Sequence, residues 1–332
     1  MGTDESQRPW TVQETAFPSD GTVAEQSRFL LRYAILAPST HNSQPWEFAI
    51  DDGTVYVFAD ESRWLQVADP EKRELYISLG CAIENFLLAA DHFGFDTSVE
   101  YDPHEEPDAV ASIILWRDDG VATTSDLFSV ITERQTNRNV YDEQQIPGDV
   151  LDRIEESASE DDVAVLLGDD QTKAKIANLQ READERQFDD PNYRRELGRW
   201  IGSGSLGTSW LVARIGQLAV THLDLGRWEG TQNSRLLRSA PEVALVLTES
   251  NDTASQIAAG RAFERVFLIA IAQGVAVHPM NQILQLPDLK QELIDHIDAN
   301  GRSLQLLFRM GYGPPEESRR PRRSVEAVLR HS

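Results

Sequence analysis

The chain is 332 residues long, and 55 acidic against 31 basic side chains leave it a formal charge of −24 at pH 7. That charge excludes nucleic acid as a partner, because the phosphate backbone would be repelled. One cysteine, Cys81, excludes an internal disulfide and any multi-cysteine zinc or iron–sulfur site, and the lack of an apolar run of about 18 residues excludes a membrane-spanning helix.

The length suggests about two domains. A hydrophobic share of 40% suits a globular protein, and the acids fall between regular apolar patterns instead of forming a disordered tract. With only four lysines (Lys72, Lys173, Lys175, Lys290), the surface resembles the solvated acidic coat of halophiles, in which high salt screens self-repulsion; an ordinary acidic protein is the alternative. Met1-Gly-Thr-Asp-Glu-Ser6 shows no basic region followed by an apolar one, so no secretory signal is expected and a cytoplasmic location is.

Residues 1–22 are polar, with Pro9, Pro18 and Gly21, and predict an arm or strap. From Val23, Phe29, Leu30, Tyr33, Ala34 and Ala37 recur every three to four residues and predict a helix that Pro38 ends. The next stretch, Ala37-Pro-Ser-Thr-His-Asn-Ser-Gln-Pro-Trp46, is polar with small or planar side chains. It precedes a hairpin, Glu47–Ile50 and Thr54–Phe58 about an Asp-Asp-Gly turn. A polar loop held between a helix and a hairpin makes poor core and a good place to hold a ligand. His41 inside it is either a hydrogen-bonding residue near that ligand or a structural one.

Trp64–Arg73 reads as a loop. Glu74–Phe93 predicts a helix apolar on nearly every side, which belongs at the centre of a domain. Cys81 reads there as a buried small hydrophobe, and Gly94 as the cap. Thr97–Tyr101 and Ala111–Trp116 predict strands, and Gly120–Ser125 the seam between units. A short helix, Leu127–Glu133, leads into Arg134-Gln-Thr-Asn-Arg138. Gly148–Ala158 predicts a helix, Val163–Leu167 a strand, and Gln171–Phe188 a polar helix too charged to be core. Ile201–Gln232, rich in glycine, takes no assignment and is a candidate cover for a site. Glu242–Leu247 predicts a strand, Thr253–Gln273 a long helix closed by Gly274, Val275–His278 a strand, Asp288–Ile297 a helix and Ser303–Met310 a strand. A long apolar helix closed by glycine and followed by strands thus occurs at 74–116 and again at 253–310. That points to a diverged duplication, although no close sequence repeat is visible.

Arg134, Thr136 and Arg138 stand two apart, so in an extended segment their side chains leave on one face. Two guanidinium forks about a hydroxyl grip a phosphate or a planar carbonyl edge; the alternative is a solvated basic turn. Arg319, Arg320, Arg322 and Arg323 fall within Ser318-Arg-Arg-Pro-Arg-Arg-Ser324. They either set the positive field an anionic ligand needs or pair with acidic surface. Gly202-Ser-Gly-Ser-Leu-Gly207 matches the dinucleotide fingerprint but follows a helical segment instead of a strand, and no GxSxG elbow is present. The seven histidines show no ligand spacing, so neither a metal site nor a catalytic side chain is nominated.

Taken together these segments resemble the flavin-dependent nitroreductase family. The likeness is carried by the Ala37–Trp46 loop, by Gly80–Ala90 as the central helix, and by Arg134-Gln-Thr-Asn-Arg138 as the Arg-x-Ser/Thr-x-Arg flavin motif. Gly311-Tyr-Gly313 with Arg322-Arg-Ser-Val-Glu-Ala-Val328 is similar to the family's phosphate-binding end. His278-Pro-Met-Asn-Gln282 and the spread of motifs along the chain point to the Acg-type branch, in which two nitroreductase-like units are fused. The resemblance implies an α+β fold of mixed, mainly antiparallel sheets flanked by helices. A first unit at 23–120 and a second at 126–332 would form an intramolecular pseudo-dimer, a monomer mimicking the family's dimer.

The resemblance also implies FMN as cofactor and NAD(P)H as electron donor. A nitroaromatic, quinone or similar small molecule would be the acceptor, in a ping-pong mechanism that asks for no protein nucleophile. Family sites join an arginine turn and a basic C-terminus from one subunit to a Pro-Ser…Asn loop from the other. Here the first group occurs only in the second half (Arg134, Thr136, Arg138, Arg320, Arg322, Arg323) and the second only in the first half (Pro38, Ser39, Thr40, Asn42). One complete FMN site and one lost site are implied. The alternative is a flavin-sequestering or storage protein with little turnover, whose lid, at Gln180–Gly207, closes over the flavin.

Overall fold

A capping box opens the first helix, α1 (Val23–Ala34). The Thr22 hydroxyl accepts from Glu25 N, and Glu25 Oε2 accepts the Thr22 N–H at 2.8 Å. The structure, a computed structural model, describes residues 9–117, 126–159, 162–205, 210–222 and 226–330. The expected seam at Gly120–Ser125 lies outside the described residues. β1 (Trp46–Asp51) and β2 (Thr54–Ala59) form the hairpin; α2 (Arg73–His92), β3 (Asp96–Tyr101) and β4 (Ala111–Trp116) follow. These strands make one antiparallel sheet of order β1-β2-β4-β3.

After α3 (Asp126–Val130), α4 (Gly148–Ala158) and β5 (Val163–Leu167) come α5 (Asp170–Asp189), α6 (Pro191–Gly202), α7 (Trp210–His222) and α8 (Gly226–Ser239). β6 (Glu242–Thr248), α9 (Thr253–Ala272), β7 (Ala276–Pro279), α10 (Pro287–Ile297), β8 (Ser303–Gly311) and the short α11 (Val325–Val328) complete the chain's elements. The second sheet is also antiparallel, in the order β5-β6-β8-β7. The expected α+β class, antiparallel sheets flanked by helices, is borne out.

The two sheets repeat one strand order, and the repeat is finer than the sequence suggests. A shift of 180 residues carries α2 onto α9 end for end, Arg73 onto Thr253 and His92 onto Ala272. It aligns Ile77 with Ile257, Gly80 with Gly260, Glu84 with Glu264 and Gly94 with Gly274. Gly80 and Gly260 mark the crossing of the two helices. A Cβ on either would stand far inside contact distance of the opposite backbone, Ile257 O or Ile77 O, so only glycine lets these helices meet. Cys81, buried as expected, lies beside the crossing with Sγ 3.2 Å from Gly260 O.

One core runs from the first sheet through α2 and α9 to the second, including Phe48, Val57, Phe86, Phe267, Val246 and Phe308. Each such side chain contributes roughly 1.5–3 kcal/mol on burial. A second core lies on the other face of the second sheet, where Leu179, Leu237, Leu245, Leu289 and Leu307 pack. The second sheet is therefore covered on both faces, whereas β4 of the first exposes Ile114 and Trp116.

Two expectations change here. α5 does supply core, with Ile176, Leu179 and Phe188 buried beside Gln180, Asp184 and Gln187. Its buried carboxylate is paired: Gln180 Nε2 and Asn233 Nδ2 donate to Asp184 at 3.1 and 3.0 Å. The unassigned 201–232 stretch is largely α7 and α8. Glycines there are helix contact points: a Cβ on Gly226 would meet Phe188 Cβ, and one on Gly230 would meet Arg181 O, each at 2.9 Å. Among the described residues no helix is long and apolar enough to cross a membrane.

Candidate functional site

The polar loop after α1 is tightly wound. His41, Asn42 and Gln44 have φ of 53°, 54° and 52°, left-handed values that Asn tolerates well and the others adopt at a cost. Such strain concentrates at functional segments held by their surroundings. Ser39 Oγ accepts the Gln44 N–H at 2.9 Å. Asn42 joins three regions: its Nδ2 donates to Ser205 O at 2.8 Å and Pro321 O at 2.9 Å, and its Oδ1 accepts from Arg322 Nη1 at 2.7 Å.

The arginine turn reaches this loop from the second half. Arg134 is buried, with Nε 3.3 Å from Glu264 Oε1, Nη2 3.0 Å from Leu36 O, and its guanidinium 4.9 Å over the Phe267 ring. Arg322 donates to the same carbonyl, Leu36 O, at 3.1 Å and lies 4.6 Å over the Trp10 ring. Burial, and then the neighbouring charge of Arg134, hold Arg322 well below the usual arginine range.

The tail bearing Arg322 leaves the second sheet and joins the first. Leu329 bridges Phe48 in parallel, and Arg330 N donates to Phe48 O at 2.8 Å.

These elements enclose a cleft of about 500 Å³, its open mouth included, lined by Pro38, Ser39, Asn42, Arg134, Thr136, Arg138, Arg320 and Arg322 together with four further residues. Eight of the ten residues singled out from sequence thus meet in one place. The other two point elsewhere. Thr40 Oγ1 donates to the buried Glu74 at 2.6 Å, tying the loop to the start of α2. Arg323 pairs with Asp60 at 3.1 Å and donates to Gln44 O at 3.0 Å, clamping the tail to the loop.

The four lining residues not foreseen are Trp10, Gln135, Glu316 and Ser318. Trp10 Nε1 donates to Arg320 O at 2.7 Å, and Glu316 accepts the Arg138 backbone N–H at 2.6 Å. A lone tryptophan in a polar arm was the available signal for the first. Glu316 gave none.

The cleft's arginines are not equivalent. Arg134 and Arg322 are engaged by protein acceptors. Among the described residues neither the Arg138 nor the Arg320 guanidinium has a hydrogen bond or an ion pair. Packing around the cleft and the charge of Arg320 lower the Arg138 pKa to about 10, although the residue is exposed. These two cleft cations, flanked by Thr136, Ser39 and Ser318, form a donor set suited to a phosphate group.

Fold and cleft define an α+β protein with two antiparallel sheets and an arginine-lined cleft drawn from both halves of the chain. Its relatives are identified by sequence. No family model matches the chain. "Putative NAD(P)H nitroreductase Rv3131" of Mycobacterium tuberculosis is 27% identical over 91% of this chain and 88% of its own length. "Putative NAD(P)H nitroreductase acg" of the same organism is 26% identical over 90% of this chain and 93% of its own. Over nine-tenths of its length the chain is therefore homologous to proteins carrying the nitroreductase name, the Acg-like group among them. Among solved structures, a nitroreductase from Anabaena variabilis, titled "putative", covers 95% of this chain and 92% of its own at 11% identity and a TM-score of 0.49. The FMN-dependent nitroreductase NfnB of Mycobacterium smegmatis, solved with NADPH, covers 61% and 96% at 18% identity and a TM-score of 0.40.

Proposed function

We propose that the chain is a nitroreductase-type oxidoreductase that holds FMN with its phosphate in the arginine cleft. The observation that carries this reading is the Arg138–Arg320 pair, two cleft cations whose guanidinium groups form no ion pair among the described residues, the Glu316 carboxylate beside them being held by the Arg138 backbone N–H. The donor set fits FMN. Arg138, Arg320, Thr136 and Ser318 would take the phosphate or a ring edge, and Pro38, Ser39 and Asn42 would border the flavin from the other half. Arg134 and Arg322 would shape the wall behind them. When bound, FMN supplies the hydride-transfer chemistry. NAD(P)H, which appears in the relatives' names, is the expected donor, a nitroaromatic, quinone or similar small molecule the acceptor, and a ping-pong order the expected kinetics. The protein's residues bind, orient and neutralise charge.

The same reading takes residues 23–120 and 126–332 as two units of a pseudo-dimer with one site. In the first half eleven residues, 35–45, separate α1 from β1 and contain the loop; in the second only four, 159–162, separate α4 from β5. No counterpart of the loop fits there, so one flavin per chain is expected. A storage protein with little turnover is the second reading. It is favoured by the bond from Asn42 to Ser205 O, which brings the segment after α6 down onto the loop.

Titrating flavin-free protein with FMN tests both. One flavin per chain is expected, and Arg138→Ala or Arg320→Ala should each weaken binding by about 1.5–3 kcal/mol, the scale of a charged hydrogen bond. Two flavins per chain would remove the one-site reading, and unchanged affinity in both variants would move the phosphate elsewhere. Failure of fully loaded protein to oxidise NAD(P)H with a nitroaromatic or quinone would leave the storage reading.

A further inference from the structure

The strand register of β7 and β8 sets His278 opposite Arg309. Arg309 is wholly buried: its Nε lies 3.2 Å from His278 Nδ1, its Nη2 2.8 Å from Asn139 O, and its guanidinium 3.9 Å over the Tyr141 ring. Held at three points, this side chain has one orientation. A guanidinium donates and never accepts. Nδ1 of His278 therefore presents its lone pair, and the ring carries its proton on Nε2. Burial, reinforced by the charges of Arg138 and Arg309, keeps the imidazole well below its ordinary pKa, so it is neutral. Among the described residues no acceptor takes the Nε2 proton.

We propose that Arg309 is a positioning residue that fixes His278 as the Nε2–H imidazole and so holds a neutral donor next to the arginine turn, for an acceptor atom on a planar heteroaromatic ligand that extends from the cleft past that turn. His278 is not itself among the residues that line the cleft; Arg138, which does line it, follows Asn137 in the arginine turn as His278 follows Val277 in β7. With two arginines already beside the ring, a third cation would be costly, whereas a neutral N–H adds direction without charge. Asn137 and Asn139 complete the support. Asn137 N donates to Val277 O at 3.0 Å, tying the arginine turn to the strand that bears His278. The tautomer stands on the Arg309 geometry alone; the ligand class rests on the flavin reading.

Nitrogen NMR of histidine-labelled full-length protein from about pH 5.5 to 8.5 tests the tautomer. His278 is expected to show a protonated Nε2 and a lone-pair Nδ1 throughout. A protonated Nδ1, or a titration midpoint near the ordinary ~6.5, overturns the proposal. Arg309→Met should let the tautomers mix and bring the ring's titration into the range; should that variant fail to fold, the wild-type spectrum still decides. FMN titration tests the donor. His278→Gln keeps an N–H near the Nε2 position and should bind within about threefold of wild type, while His278→Leu should lose about tenfold, the scale of one hydrogen bond. Wild-type affinity in His278→Leu overturns the donor role and leaves the flavin reading standing. Absence of FMN binding by the wild type overturns the flavin reading and the ligand class with it, and the NMR result then judges the tautomer by itself.

Discussion

Glu84 and Glu264 occupy the same turn of twin helices, and both are buried, yet their charges are met in different ways. Glu84 receives two arginines of the helix it crosses, Arg261 at 3.2 Å and Arg265 at 2.8 Å. Position for position, α2 carries Cys81 and Asn85 where α9 carries those arginines, so it returns none to Glu264. Glu264 instead takes Arg134, from the turn that lines the cleft, at 3.3 Å. The two helices share the crossing and differ in how their charges are met. One carboxylate is closed by its neighbour helix, and the other depends on a loop that belongs to the site. The connections diverge in the same sense: a tight turn joins β1 to β2, while four helices, α5 to α8, intervene between β5 and β6.

The largest test of this contrast removes each carboxylate. Taking one member of a buried ion pair costs about 3–5 kcal/mol when the remaining charge is left without compensation. Glu264→Ala should fall in that range, since Arg134 keeps only Leu36 O as a hydrogen-bond acceptor. Glu84→Ala should cost less, because Arg265 still donates to Ser157 O and Arg261 to the Tyr101 hydroxyl. Urea unfolding of both variants measures the order. Equal losses, or the reverse order, would break the asymmetry between the halves.

Next in size comes a dependence on pH. Burial raises Glu264, Asp184 and Asp69 to about 7 each, with Arg134 opposing the rise at Glu264 and the Asn233 and Gln180 amides opposing it at Asp184. A carboxyl whose native pKa exceeds its unfolded one binds its proton more tightly when folded. Its contribution is fully present below the unfolded value and is lost as pH rises through about 7. At about 1.4 kcal/mol per pKa unit, a loss on the order of 2–3 kcal/mol per carboxyl between about pH 5 and 7.5 is expected. Relief of the acidic surface's self-repulsion runs in the same direction, so Asp184→Asn separates the two. That variant should make the slope shallower by the share of a single carboxyl, and an unchanged slope would remove Asp184 from it. Asp184 belongs to the helical insertion, which the first half lacks, so the result also weighs that difference.

The helix crossing should respond alike from either side. Gly80→Ala and Gly260→Ala each press a methyl into the opposite backbone, and overpacking of this kind costs about 1–3 kcal/mol. A clear inequality in thermal unfolding would show that the halves differ at their contact as well as in their charges.

Much of this was legible because it is local. α2 and α9 announce themselves by apolar periodicity closed by Gly94 and Gly274, and Arg134, Thr136 and Arg138 by a two-residue spacing. The repeat was legible as an order of elements but not residue by residue, because it preserves glycines and a glutamate while exchanging the large apolar residues, Phe86 for Val266 and Leu87 for Phe267. α7 and α8 were hidden by glycines that serve helix contacts, which sequence alone does not separate from breaks. Trp10 and Glu316 enter the cleft only through the tertiary fold, 128 and 178 residues from Arg138 in the chain. Thr40, adjacent to cleft residues in sequence, turns away to a partner 34 residues on. A motif therefore located the site here without assigning every member its task.

The smallest effect is expected where the second half's tail docks on the first sheet. Arg330 pairs with Glu47 at 2.9 Å and lies 3.7 Å over the Phe58 ring, but its side chain is 38% exposed and that of Glu47 30%. A pair so open to water contributes about 0.2–1 kcal/mol, and salt screens it further. Arg330→Ala leaves the backbone bond to Phe48 O and the Arg323–Asp60 pair in place, so the tail should remain docked. Unfolding of the variant at low and high salt checks this: a difference from wild type below about 1 kcal/mol that shrinks as salt is added is expected. A loss of several kcal/mol would mean that the tail is held chiefly at its end. The division between halves would then extend to their joining, with the first sheet relying on a strap that the second does not need.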